Sequence, residues 1–141
     1  MIRKFSRSDI PRIMQIWLDG NKEAHCFVPA AYWEEHAPAV EEQLLQAEVY
    51  VCEVDGEARG FAGLQGSYLA GIFVESAYRS MGIGKQLLDY VKSVYPYFSL
   101  QVYKENKRAA EFYIREGLTI ASEEVDEDTG NAEYTMVWKR V

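Results

Sequence analysis

The stretch Tyr78-Arg79-Ser80-Met81-Gly82-Ile83-Gly84-Lys85 joins two segments of opposite character. Before it, Tyr68-Leu69-Ala70-Gly71-Ile72-Phe73-Val74 is short, apolar and β-rich; after it, Ile83, Leu87, Leu88, Val91, Val94 and Tyr95 recur at helical spacing. The stretch is therefore a turn that leaves a strand and opens a helix. The first amides of a helix have no partner within it and carry the positive end of its dipole, so an anion satisfies them. Gly82 and Gly84 present no Cβ to hold an anion away, and Arg79 and Lys85 add positive charge. The pattern predicts a phosphate-binding turn.

Neither common nucleotide fingerprint accounts for it. A P-loop requires Gly-x-x-x-x-Gly-Lys followed by Ser or Thr, but Arg79 stands at the first glycine position and Gln86 follows Lys85. A dinucleotide-binding Gly-x-Gly-x-x-Gly fails at Leu87, which fills the third glycine position.

A second segment follows about twenty residues on: Asn106-Lys107-Arg108-Ala109-Ala110-Glu111-Phe112-Tyr113-Ile114-Arg115-Glu116-Gly117-Leu118. Together, Arg-x-x-Gly-x-Gly at 79–84 and Asn-x-x-Ala-x-x-Phe-Tyr-x-x-x-Gly at 106–117 resemble the two acyl-coenzyme A motifs of the GNAT N-acetyltransferases, with Leu118 in place of the usual phenylalanine. The likeness covers nearly the whole chain and is nearest to small, single-domain bacterial members. It implies the family's fold, a mostly antiparallel central sheet flanked by helices, and acetyl-coenzyme A as co-substrate.

At 141 residues, 48% hydrophobic and 13% aromatic, the chain has the size and composition of one folded domain. No apolar run approaches the roughly twenty residues that span a bilayer, so neither membrane insertion nor secretion is expected, and the location expected is cytoplasmic. Cys26 and Cys52 are too few for a zinc site and read as packing residues; no metal is expected. The net charge of −7 argues against nucleic acid as a partner. Its distribution is uneven. Residues 79–115 hold seven Lys or Arg against three acids, whereas the rest holds eight against nineteen. The cofactor half is basic; the acidic remainder is either a solvated surface or one suited to a cationic amine.

Local signals give the element order. Met1 to Phe5 reads as a strand, and Ser8-Asp9-Ile10-Pro11 as a helix start with an early proline, continued by Ile13, Met14, Trp17 and Leu18. A second helical region runs from about Pro29 to Ala47, with a break expected before Pro38. Val49 to Val54 and Glu57 to Gln65 form a hairpin around Asp55-Gly56, and Tyr68 to Val74 extends the meander. The Gly82 to Tyr95 helix, a strand over Phe98 to Tyr103, a short helix from Asn106 ended by Gly117, and two strands around Asp126 to Gly130 complete the chain. The order predicts a mixed α/β sheet with helices on its faces.

Amine acetylation needs a fixed thioester, a deprotonated amine, support for oxyanion charge and a proton for the leaving thiolate. The resemblance implies that the backbone of Ile72, Phe73 and Val74 pairs with the pantetheine arm. It also implies that Arg79, Ser80, Met81, Gly82, Ile83, Gly84 and Lys85 hold the pyrophosphate. Asn106 reads either as the cap of its helix or, by the resemblance, as a contact to the pantetheine amide. Tyr113 is by default a core or rim residue of an amphipathic helix; the resemblance makes it the proton donor to the thiolate. Relatives that acetylate protein N-termini carry a glutamate in the strand where this chain has Gln101, an amide that is no base. His25, with an ordinary pKa of about 6.5, is the candidate base in the segment that lines the acceptor site in the family; Glu53 and Glu23 are weaker candidates. Phe27, Tyr32, Trp33 and Tyr103 are candidate acceptor-site walls. The expected reaction is direct transfer from acetyl-coenzyme A to a primary amine, a protein lysine, an N-terminus or a small molecule, by a monomer or homodimer. A non-catalytic acyl-coenzyme A sensor is the alternative.

Overall fold

A computed structural model describes residues 1–141. Seven strands form one sheet in the order β1-β2-β3-β4-β5-β7-β6: β1 Ile2–Lys4, β2 Glu48–Val54, β3 Glu57–Gln65, β4 Tyr68–Val74, β5 Tyr97–Tyr103, β6 Thr119–Asp126 and β7 Asn131–Lys139. Every pairing is antiparallel except β4 with β5. Helices α1 (Ile10–Ala24) and α2 (Ala30–Gln46) cover one face, where Ile13, Trp17, Trp33, Leu44, Val51 and Phe61 are buried together. Helices α3 (Ile83–Val94) and α4 (Lys107–Arg115) cover the other, over Leu87, Val91, Phe98, Leu100 and Met136. The sheet is thus two-sided, and both faces of its central strands are apolar.

Local chemistry explains most of the elements. Asp55 and Gly56 have φ of 54° and 80°, the double left-handed turn that matches the twist of a two-residue hairpin. Ser6 N–H donates to the Asp9 carboxylate at 2.8 Å, closing the turn that leads into α1. Gly117, at φ +96°, ends α4.

One expectation fails: α2 runs unbroken through Pro38. Pro38 lies on the exposed side of the helix, so the carbonyl it leaves unpaired meets water, while Trp33 and Leu44 on either side of it are buried. Their packing offsets a proline cost of about 3 kcal/mol.

Two features position the site. β4 pairs with β5 only at Tyr68↔Ser99, after which the strands part and the β5-facing edge of Ile72–Val74 is free of a neighbour. In β4 the register with β3 slips: Gly63 faces Gly71 but Leu64 faces Leu69, leaving Ala70 as an extra residue. This bulge inverts the alternation. Leu69, Ile72 and Val74 therefore join the α3/α4 core, whereas Phe73 joins the α1/α2 core.

α3 lies close to the sheet because Gly60 has no side chain. A Cβ there would stand 2.9 Å from Ile83 Cγ2 and 3.0 Å from the Phe73 carbonyl oxygen. Gly60→Val should destabilise the protein by about 1–3 kcal/mol, the usual range for overpacking, seen as a lower denaturant midpoint. An unchanged midpoint would show that α3 can lift from the sheet freely.

Candidate active site

The parted strands open a cleft of about 700 Å³. Its walls include Ile72–Val74, Tyr78–Ser80 and Gly82–Lys85 of the turn, Glu105–Ala109 with Phe112 and Tyr113, and Gly20, Glu23, Ala24 and His25 at the end of α1; the expected phosphate residue Met81 is exposed and does not line it. The two segments that stand apart in the sequence thus face each other across one space.

In the turn, Ser80 and Gly82 are left-handed, with φ of 71° and 78°, and α3 begins at Ile83. Gln86 N–H, bonded to the Gly82 carbonyl at 3.0 Å, is the first in this run with a backbone acceptor; the amides of residues 80–85 have none. Unpartnered amides at a helix start form a concavity that favours an anion. A Cβ on Gly82 would meet no atom, and one on Gly84 would make ordinary contacts with Phe112 at 3.7 Å and Val74 at 4.0 Å. The space in front of both is open.

The side-chain charges of the turn are already engaged. Arg79 donates to Glu23 at the end of α1, at 2.6 and 3.4 Å, and Lys85 pairs with Glu116 at 3.0 Å and Asp89 at 3.3 Å. An anion would compete with Glu23 for Arg79. Lys107, Arg108 and Arg115 also line the cleft and make no ion pair. Motif reading passes over these three, although the basic bias of residues 79–115 points to them.

Tyr113 is buried, lines the cleft, and its hydroxyl makes no hydrogen bond. Burial, with a smaller contribution from the neighbouring Tyr68 phenol, pushes its pKa above the usual phenol range, so it stays protonated at neutral pH. Asn106 serves both ends of its amide. Its Oδ1 accepts from Ala109 N–H at 3.3 Å, capping α4, and its Nδ2 lies 3.1 Å from His25 Nε2.

His25 lies against Phe27, Trp33 and Tyr103, with ring centroids 5.6, 5.3 and 5.0 Å away. Burial lowers its pKa to about 4, so the ordinary imidazole window does not apply and the ring is neutral at physiological pH. Tyr103 Oη donates to Asp126 at 2.6 Å and Tyr32 Oη to Asp128 at 3.5 Å, which brings the β6–β7 turn to the acceptor side of the cleft. The candidate walls gather around His25. The two weaker base candidates are both occupied: Glu23 holds Arg79, and Glu53 is bonded to Arg3 at 2.8 Å, away from the cleft. Tyr68, unremarkable in the sequence, donates to Gln101 Oε1 at 3.3 Å beside the split.

Residues 46–118, which hold the strand edge, the turn and the Asn106–Tyr113 segment, match the family model described as acetyltransferase (GNAT) domain. The chain belongs to the GNAT acetyltransferase family. Over 140 residues it is 35% identical to peptidyl-lysine N-acetyltransferase YiaC of Escherichia coli K12, covering 98% of this chain and 96% of that protein. It is 27% identical to peptidyl-lysine N-acetyltransferase YjaB of Salmonella typhimurium, covering 92% and 90%. The solution structure of apo YjaB from Escherichia coli superposes with a TM-score of 0.87 at 22% identity, over 100% of this chain and 98% of that one. A GNAT acetyltransferase from Bacillus cereus gives 0.78 at 16%, over 100% and 97%. These structural likenesses establish the GNAT fold; membership rests on the family match and on the relative at 35%. GNAT acetyltransferases use acetyl-coenzyme A, and the cleft of this acetyltransferase fits such a molecule: unpartnered amides for its phosphates and a free strand edge for its amide-bearing arm.

Proposed function

We propose that this GNAT acetyltransferase moves an acetyl group from acetyl-coenzyme A to the ε-amine of a lysine in a protein or peptide, residues 1–141 acting as a single catalytic domain in the cytoplasm. The observation that carries the reading is Tyr113: an unpartnered, protonated phenol lining the cleft between the free edge of Ile72–Val74 and the aromatic group around His25. A sensor would have no use for it. The peptidyl-lysine activity printed for YiaC, 35% identical over nearly the full chain, supports this acceptor class.

In this reading the turn amides and the basic residues of α4 hold the pyrophosphate, and the edge of β4 holds the pantetheine arm as an added strand. The bound co-substrate supplies the activated acetyl group. Phe27, Tyr32 and Tyr103 enclose the aliphatic part of the lysine, and Asn106 fixes His25 as part of that wall. Tyr113 gives its proton to the sulfur as the C–S bond breaks. Attack is direct, since Cys26 is exposed outside the cleft lining and Cys52 is buried in the sheet.

The test is to incubate the protein with acetyl-coenzyme A and peptides carrying a lysine, a free N-terminus, both or neither, following thiol release and locating the acetyl group by mass spectrometry. Modification of the lysine ε-nitrogen is expected with the N-terminus blocked. Modification confined to N-termini, or no thiol release with any peptide, would overturn the lysine assignment.

A further inference from the structure

Direct attack requires an amine that has lost its proton, and the candidate bases are poor takers. Gln101 is an amide, Glu23 is held by Arg79, Glu53 by Arg3, and His25, with its pKa near 4, is a weak base. An unpartnered carboxylate stands on the sheet face that carries Gln101 and Tyr103. Glu133, in β7, stands directly opposite Tyr103 of β5 and therefore projects to the side where Tyr103 meets His25 and Phe27. Gln101 pairs with Thr135, so Glu133 is its diagonal cross-strand neighbour, at a typical separation of about 7–8 Å. Glu133 is half-buried and makes no hydrogen bond or ion pair.

The neighbours of Glu133 lead to the reacting centre. Its charge is felt by Tyr68, which is hydrogen-bonded to Gln101, and Tyr68 is in turn felt by Tyr113. We propose that Glu133 is the general base of the reaction, drawing the proton from the lysine ammonium that enters past His25 and Tyr103. This rests on the acetyl-transfer reading above. One proton passes from the ammonium to the carboxylate. The freed lone pair forms the C–N bond as the C–S bond breaks; Tyr113 protonates the departing sulfur and is reprotonated from the acylated nitrogen, and Glu133 sheds its proton to solvent. Burial, then the charges of Asp126 and Glu124 on β6, raise the Glu133 carboxyl above the ordinary range, which strengthens it as a base. His25 at the end of α1, Tyr32 of α2, Tyr68 of β4, Tyr103 of β5 and Asp128 of the β6–β7 turn are the other titratable groups on its side, and no lysine or arginine pairs with it.

Glu133→Gln keeps the shape and removes the proton acceptor. At neutral pH its kcat should fall about 10²-fold, with the melting shift given by acetyl-coenzyme A unchanged. Between about pH 6 and 9 its rate should climb roughly tenfold per pH unit, because only amine already free in solution reacts, whereas the wild-type rate levels off once the carboxylate is ionised. A variant within about twofold of wild type at neutral pH, or one with a parallel pH profile, would overturn the assignment. Should that variant not fold, Glu133→Asp, which moves the carboxylate back by one methylene, decides it: a lowered kcat supports the base, an unchanged kcat removes it. Using any primary amine the enzyme accepts, if lysine peptides are refused, keeps a wrong acceptor distinct from a wrong base.

Discussion

Tyr113→Phe should cut kcat by about 10²-fold or more while leaving the fold and the affinity for acetyl-coenzyme A nearly unchanged. The hydroxyl makes no hydrogen bond in the protein, so deleting it breaks none and opens almost no space; ring, volume and helix are kept. Burial holds the phenol protonated through the neutral range, which suits a group that must donate as a thiolate departs. A tyrosine that only packs would lose little rate on this change. Activity within about twofold of wild type, with chemistry shown to limit turnover, would end the proton-donor role.

Replacing Gly82 and Gly84 together with valine should abolish the stabilisation given by acetyl-coenzyme A. At a hundredfold excess over Kd a ligand adds about 2.7 kcal/mol, or roughly 10 °C in Tm for a chain of this size. The two glycines act differently. Gly82 has φ +78°, so valine there strains the free protein as well. Gly84 has ordinary backbone, and a Cβ would make only ordinary contacts, with Phe112 at 3.7 Å and Val74 at 4.0 Å, so Gly84→Val alone should keep most of the free protein's stability and still block an approaching phosphate. The informative quantity is the ligand-induced shift. A double variant with the wild-type shift would show that the phosphates bind elsewhere.

Arg79 shows how much of the site is legible in sequence. Its place in Arg-x-x-Gly-x-Gly makes it a candidate phosphate ligand, but its ion pair with Glu23 joins residues 56 apart along the chain and leaves no trace in either local pattern. His25 is similar. Its segment is recognisable, yet its pKa near 4 comes from the ring's burial beside Phe27, Trp33 and Tyr103, and Tyr103 is brought there from a strand far along the chain. Pro38 misleads because a proline's effect on a helix depends on which side faces water, and that is decided by packing.

Features governed by neighbours a few residues apart are legible along the chain. These are the Asp55-Gly56 hairpin, the glycine turn that opens α3, the Asn106 cap and Gly117 end of α4, and with them the place of Tyr113 on that helix. Backbone sterics and hydrogen-bond geometry over one or two turns fix each of them. Tertiary structure alone decided that β7 enters the sheet between β5 and β6, that β4 parts from β5 after one pair, and that a bulge at Ala70 turns Phe73 to the other core. Strand pairing joins segments far apart in the chain, and its register follows the burial of whole faces rather than any local residue pattern. Only that register puts Glu133 opposite Tyr103 and diagonal to Gln101, across the sheet from the helix that carries Tyr113.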